Sequence, residues 1–276
     1  MNTFKQRCIA LRKKDFTLNE IMKITGRGKT SVYFHIRDIA LSKKKKREIC
    51  ANTKQIALNL ARARKGKALR SYKPFEKWSS EFVLLVAHLM FDGEILKKRC
   101  VYNNRSETLI FRVENLMQSV YNYSPHIHID RVSGVKRIQY NNVELRDFLY
   151  VKACELIAVI KKRPKIEQRE FVRAFFDDEG CMDVRLNRNL RRVRGYQKDR
   201  EILMLIQSLL KNFDIASTLQ GKNEVVISGK ENLIKFQKEI NFSKGVRLNP
   251  KRSNSIWKKP IEKRELLAVA IESFKN

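Results

Sequence analysis

The chain repeats itself, and any fold it adopts has to accommodate the repeat. Residues 82–95 read FVLLVAHLMFDGEI and residues 171–182 read FVRAFFDDEGCM. Each is an apolar run of helical length that closes on an acid and a glycine. These are Asp92-Gly93 and Glu179-Gly180, 87 residues apart (180 minus 93). After each comes the same succession of elements. A polar, strand-like stretch (97–105; 182–196) leads to an amphipathic helix (107–121; 199–213), then a further strand (126–140; 217–228) and another helix (141–160; 229–240). One Asp-Gly after an apolar run is an ordinary capped helix. Two in register, each followed by the same elements, predict an α+β fold made of two α-β units related by a pseudo-two-fold axis.

Such a repeat has physical requirements. Ala87 and Ala174 occupy corresponding positions in the two apolar runs, and small side chains let helix backbones approach closely. The helix ends then lie side by side, each delivering one carboxylate, Asp92 and Glu179. Gly93 and Gly180 are expected to supply the left-handed turn that ends each helix. Two like charges at the negative ends of two helix dipoles repel, and a cation relieves the repulsion. Hard oxygen donors suit Mg²⁺ better than zinc.

Charge narrows the partner. The 276 residues hold 59 Lys and Arg against 29 Asp and Glu, a formal net charge of +30. A field of that sign and size attracts polyanions. It is densest between Leu41 and Ser80, where thirteen Lys and Arg face only Glu48 and Glu76, in a stretch that reads as helical over 47–64 and extended over 65–79. Ahead of it, DFTLNEIMKITGRGKTSVYFHIRDI reads as helix, glycine turn, helix, with Thr17 as a cap and Val32, Phe34 and Ile36 as apolar positions. The spacing resembles a helix-turn-helix, which would put Lys29, Thr30, Ser31, Tyr33 and His35 on the start and outer face of the reading helix. The five cysteines never form a C-x-x-C pair and read as small buried residues in a reducing compartment. No signal-like or membrane-spanning run is present, so the expectation is a soluble, intracellular, cytoplasmic protein without a membrane partner.

The two repeated segments, FVLLVAHLMFDG and FVRAFFDDEG, resemble the paired motifs of single-chain LAGLIDADG homing endonucleases, over residues 80 to about 260. The resemblance implies two αββαββα halves meeting along the motif helices, with two curved sheets forming a saddle over DNA. It implies one repeat at 80–165 and a second, with a C-terminal helix, at 166–276, which follow the helix-turn-helix domain expected at 1–40 and the basic linker at 41–79. By position Asp92 and Glu179 become the metal-binding catalytic acids, with Lys251 and Lys162 as basic residues beside the metal. Arg137, Arg185, Arg192 and Arg194 become DNA contacts. His88 and Phe91 depart from the motif where small residues are common, so the helix packing there is looser or is compensated across the interface. Asp177 and Asp178 leave open which carboxylate of the second motif points at the metal. The implied activity is Mg²⁺-dependent, site-specific cleavage of double-stranded DNA by a monomer. The alternatives are a non-catalytic DNA-binding regulator on the same scaffold and an intron maturase that holds folded RNA. Trp78 and Trp257 read as packing anchors, and His126 and His128 as ordinary strand side chains on one face.

Overall fold

The structure, a computed structural model, describes residues 3–64, 77–96, 98–130, 132–248 and 260–274. It divides into two compact units, Met1–Ala68 and Leu69–Asn276.

The first unit is helical. Helices α1 (Phe4–Lys13), α2 (Leu18–Thr25) and α3 (Lys29–Ile36) precede a long helix, α4 (Lys43–Arg64). Thr3 and Thr17 each start a helix with a capping box, closed by Gln6 and Glu20 respectively, which satisfies amides that otherwise lack partners. Gly26 ends α2 at φ +65°, a backbone state that favours glycine. Cys8, Ile21, Val32 and Ile36 form the buried centre of the three short helices. Phe34 does not join them. It lies half a turn from Val32 and Ile36 and is 64% exposed. Helix α4 begins four residues earlier than expected, at Lys43, where the Ser42 hydroxyl accepts from the Lys45 amide.

The second unit is α+β and shows the repeat directly. The first half runs α5 (Ser80–Met90), β1 (Gly93–Leu96), β2 (Arg99–Asn104), α6 (Glu107–Tyr121), β3 (His126–Ile129), β4 (Lys136–Tyr140) and α7 (Val143–Val159). The second runs α8 (Lys165–Glu179), β5 (Gly180–Arg185), β6 (Leu190–Tyr196), α9 (Arg200–Lys211), β7 (Thr218–Gln220), β8 (Glu224–Ser228) and α10 (Lys230–Glu239). Each half is αββαββα with one antiparallel sheet, ordered β1-β2-β4-β3 and β5-β6-β8-β7. Three stretches expected as single strands are hairpins. Residues 126–140 turn at Gly134 (φ +69°), 182–196 at Asn189 (φ +50°) and 217–228 at Gly221 (φ +57°). A further helix, α11 (Lys263–Glu272), packs on α10 and β5.

The halves meet where α5 lies against α8, and Ala87 and Ala174 are both fully buried there. The motif glycines serve a purpose other than the expected left-handed turn. Gly180 is extended (φ −92°, ψ 153°), and Gly93 is not among the positive-φ glycines. What excludes a side chain is the sharp entry into the strand beneath the last helical turn. A Cβ at Gly93 would lie 2.4 Å from the Leu89 carbonyl oxygen, and one at Gly180 2.2 Å from that of Phe176. Trp78 stacks on Phe82 with ring centroids 4.8 Å apart and donates to Glu155, so it is the packing anchor expected; Trp257 lies outside the described residues. Cys8 and Cys100 are buried, but Cys50 and Cys154 are exposed, which corrects the reading of all five cysteines as core residues. Among the described residues no helix is long and apolar enough to cross a membrane.

Gly180→Ala and Gly93→Ala should each lower the unfolding free energy by about 1–3 kcal/mol or more, because the obstacle is backbone and cannot rotate away. Urea denaturation checks this, and an unchanged midpoint would mean that the helix-to-strand corner has another geometry.

Candidate functional site

The helix pair brings Asp92 and Glu179 to one end of the α5–α8 contact. Glu179 is the last residue of α8, and Asp92 lies just beyond the end of α5, so both sit at the negative poles of helix dipoles. Both are half-buried. Burial, and then the charges of Asp178 and Glu179, push the Asp92 carboxyl up to about 8. Burial, and then Asp178, push Glu179 up to about 7. The two acids are therefore desolvated and crowded by negative charge, while Lys263 acts in the opposite direction on both.

The remaining carboxylates of the second motif are occupied. Asp177 accepts from Arg112 of α6 at 2.8 Å and from the Ser243 amide at 2.9 Å. Asp178 crosses the helix interface. It receives the Tyr102 hydroxyl at 2.7 Å and lies 2.8 Å from His88 Nδ1, with both His88 and Asp178 side chains fully enclosed. The Asn104 amide donates to Asp92 at 2.6 Å and to the Tyr102 oxygen at 3.3 Å, so a continuous hydrogen-bonded chain links His88, Asp178, Tyr102, Asn104 and Asp92. Among the described residues Glu179, unlike Asp177 and Asp178, has no side chain engaging its carboxylate, which leaves it as the second-motif acid free to face the site.

This network accounts for the departures in the first motif. The repeat relates position 88 to 175 and 91 to 178, so the contact of His88 with Asp178 has a symmetric counterpart in Phe91 with Phe175. That counterpart is an edge-to-face aromatic pair with centroids 5.2 Å apart. One pole of the helix contact is a hydrogen-bonded pair and the other an aromatic one. The large side chains are compensated across the interface.

The basic residues are placed differently from expectation. Lys251 lies outside the described residues. Lys162 is exposed at the N-terminal side of α8, about 20 Å from Glu179 by helical rise, and is therefore not at the acid site. Among the described residues the lysine that reaches the site is Lys263, which the sequence pattern did not single out. It is buried, its ammonium donates to the Asp177 and Phe176 carbonyls at 2.7 and 3.3 Å, and burial pulls its pKa below the usual range. It thus caps the C-terminal carbonyls of α8 with a cation. No sequence signal marks it, because it arrives from a helix 84 residues beyond Glu179 (263 minus 179).

Strand register sorts the sheet residues onto faces. Arg137 lies opposite Asn103 and His128 on the face of the first sheet turned away from the helices, and its Nε donates to Asn103 at 2.7 Å. Arg185, Arg192 and Arg194 lie together on the corresponding face of the second sheet. His126 and His128 share the first-sheet face and are exposed. In the first unit Lys29, Thr30, Ser31 and Tyr33 are exposed on α3. His35 is half-buried against the Phe4 ring at 5.4 Å, so it packs on α1 instead of lying on the outer face. Among the described residues no three His, Cys, Asp or Glu side chains converge as a ready-made metal cage.

Two measurements test the site's internal bonding. His88→Phe should destabilise the fold by about 1–3 kcal/mol, because buried Asp178 loses a partner. Adding Asp178→Ala should recover part of that loss, and a double-mutant cycle without coupling would contradict the pairing. The acids make stability pH-dependent. Their folded pKa values stand above the ordinary 3.8 and 4.5, so the contribution is complete below about pH 4 and is lost as pH rises through 7 to 8. In chelator the protein should melt at a lower temperature at about pH 9 than at about pH 6, and Asp92→Asn should flatten that dependence. A melting temperature that rises with pH over this range would contradict the crowding of the acids.

Residues 167–241 match the family model of the LAGLIDADG-like domain. No curated protein matches the sequence. Similar solved structures include mesophilic variants of the homing endonuclease I-DmoI, at 20% identity over 60% of this chain and 91% of that one, with a TM-score of 0.46. Another is full-length DUF199/WhiA from Thermatoga maritima, at 17% identity over 74% of this chain and 63% of that one, with a TM-score of 0.49. The N-terminal LAGLIDADG domain of DUF199/WhiA aligns at 17% identity over 60% of this chain and 84% of that one, with a TM-score of 0.45. Residues 167–241, most of the second repeat, thus match a LAGLIDADG-like domain.

Proposed function

We propose that this protein binds double-stranded DNA across the exposed faces of its two sheets and hydrolyses it with a divalent ion held between Asp92 and Glu179. The observation that carries this reading is the acid pair itself. Two carboxylates are desolvated at adjoining helix ends, where Asp178 raises the cost of ionising both and Glu179 adds to that of Asp92. A divalent cation is the partner that makes such a pair favourable.

The donors suit a hard ion such as Mg²⁺. They are carboxylate oxygens, and burial raises the pKa of the nearby Cys181 thiol and so disfavours the thiolate a softer ion would need. When bound, the ion supplies Lewis acidity for activating water and steadying the leaving oxygen. The chain's own residues do the rest. Asn104 orients the Asp92 carboxylate through its amide, while His88 and Tyr102 hold Asp178 out of the ligand set. Arg137 on one sheet and Arg185, Arg192 and Arg194 on the other meet phosphates or base edges. On the first unit, Lys29, Thr30, Ser31 and Tyr33 of α3 form a second contact with DNA, a reading supported by their shared exposure.

A second reading, a DNA-binding regulator that does not cut, has one specific observation in its favour. Lys263 and Asn104 already offset part of the acids' negative charge without any metal.

Incubation with Mg²⁺ and a randomised duplex library separates the two. The nuclease yields discrete cuts, and Asp92→Asn or Glu179→Gln reduces cutting at least about 100-fold while duplex affinity is kept. Selective binding with no cut in Mg²⁺ or Mn²⁺ establishes the regulator instead. A preference for folded intron RNA over duplex at matched salt would replace both with a maturase role.

A further inference from the structure

We infer that Asp183 is a positioning residue that sets three arginines of the second sheet in one preformed arrangement, and so confers sequence selectivity on that half of the protein. The inference rests on the duplex-binding reading and is independent of cleavage.

Asp183 belongs to β5. Its neighbours Met182 and Val184 are buried towards the helices, so strand alternation turns Asp183 to the opposite, exposed face of the sheet. Its carboxylate is nevertheless only 1% exposed, because arginines roof it over. Arg185 Nε donates to one oxygen at 2.9 Å. Arg192 donates to the other through Nη2 at 3.0 Å and Nε at 3.2 Å, and Arg194 Nη1 stands 3.6 Å from that same oxygen. Arg194 is also gripped by Glu224. The three guanidinium side chains keep 21–24% of their surface exposed, so they are fixed at the base while an edge remains open to a ligand.

Two consequences follow from this geometry. First, the rotamer freedom of three long side chains is already lost on folding, so less has to be lost when DNA arrives, which favours oriented contacts to base edges. Second, a carboxylate beneath the arginines repels phosphate and weakens the sequence-blind part of binding. Both effects raise selectivity, and the second does so at the expense of affinity for arbitrary duplex.

Among the described residues the first sheet shows no counterpart to this buried carboxylate. The repeat places Leu96 where the second half has Asp183, and the arginines there rest on neutral acceptors. Arg137 donates to the Asn103 amide oxygen and Arg99 to that of Gln139 at 3.2 Å. The two repeats of the second unit should therefore read their half-sites with unequal stringency.

Selection from a randomised duplex library tests this, with wild type, Asp183→Asn and Arg137→Ala compared in parallel. Asp183→Asn should blur the selected consensus over the base pairs at one end, bind unselected duplex several-fold more tightly and steepen the salt dependence. Arg137→Ala should blur the other end. A consensus as sharp as wild type with unchanged affinity for unselected duplex overturns the inference and leaves a purely structural ion cluster. Should Asp183→Asn unfold, Asp183→Glu keeps the charge and shifts the geometry by one methylene. Affinity for unselected duplex should then hold while sharpness falls, and retained sharpness again overturns the inference. A wild type that enriches no sequence at all overturns the duplex-binding reading and this inference with it, an outcome read from the wild-type arm alone.

Discussion

The close approach of α5 to α8 is the constraint on which the second unit depends. Ala87 and Ala174 permit it, and around them the interface is built from symmetry-related contacts whose chemistry has diverged. At one pole Phe91 packs edge-to-face on Phe175; at the other His88 meets Asp178 and the hydroxyl of Tyr102. Both large departures from a small-residue motif are thereby absorbed by their partners across the contact. Fixing this interface also fixes where the two helices end, and hence where Asp92 and Glu179 sit.

The helix ends concentrate negative charge in a partly dry place, and much of the surrounding structure moderates it. Arg112 and the Ser243 amide engage Asp177, the His88 and Tyr102 pair engages Asp178, and Lys263 caps the carbonyls of α8 from a distant helix. These contacts also tie the halves together, since Arg112 belongs to the first repeat and Asp177 to the second. Among the described residues the pair left without full compensation is Asp92 and Glu179. On the exposed sheet faces the same economy is seen with the opposite sign, where Asp183 holds three arginines.

The repeat, the motif helices and the paired acids were legible in the sequence because they are periodic and local. Each motif has the helical spacing of apolar residues, and each ends on an acid and a glycine. The hairpins within 126–140, 182–196 and 217–228 were harder to see, since their turns rest on single residues with positive φ, including Asn189, in otherwise strand-like runs. The role of Gly93 and Gly180 is hidden in the sequence for a similar reason. Glycine at a helix end suggests a left-handed cap, and only three-dimensional packing shows a carbonyl where the Cβ would be. Lys263 and the link from Asn104 to Asp92 depend on contacts between elements far apart in sequence, and no spacing rule reaches them. In the first unit, exposed Phe34 and half-buried His35 exchange the places that apolarity alone assigned them.

Divalent-ion binding by Asp92 and Glu179 is the proposal from which the rest of the chemistry follows. Anomalous scattering from Mn²⁺ in crystals of the protein with a bound duplex tests it most directly. Density at the two carboxylates, absent in Asp92→Asn, is the expected result. Density confined to other residues, or none at the acids while duplex is bound, would contradict it.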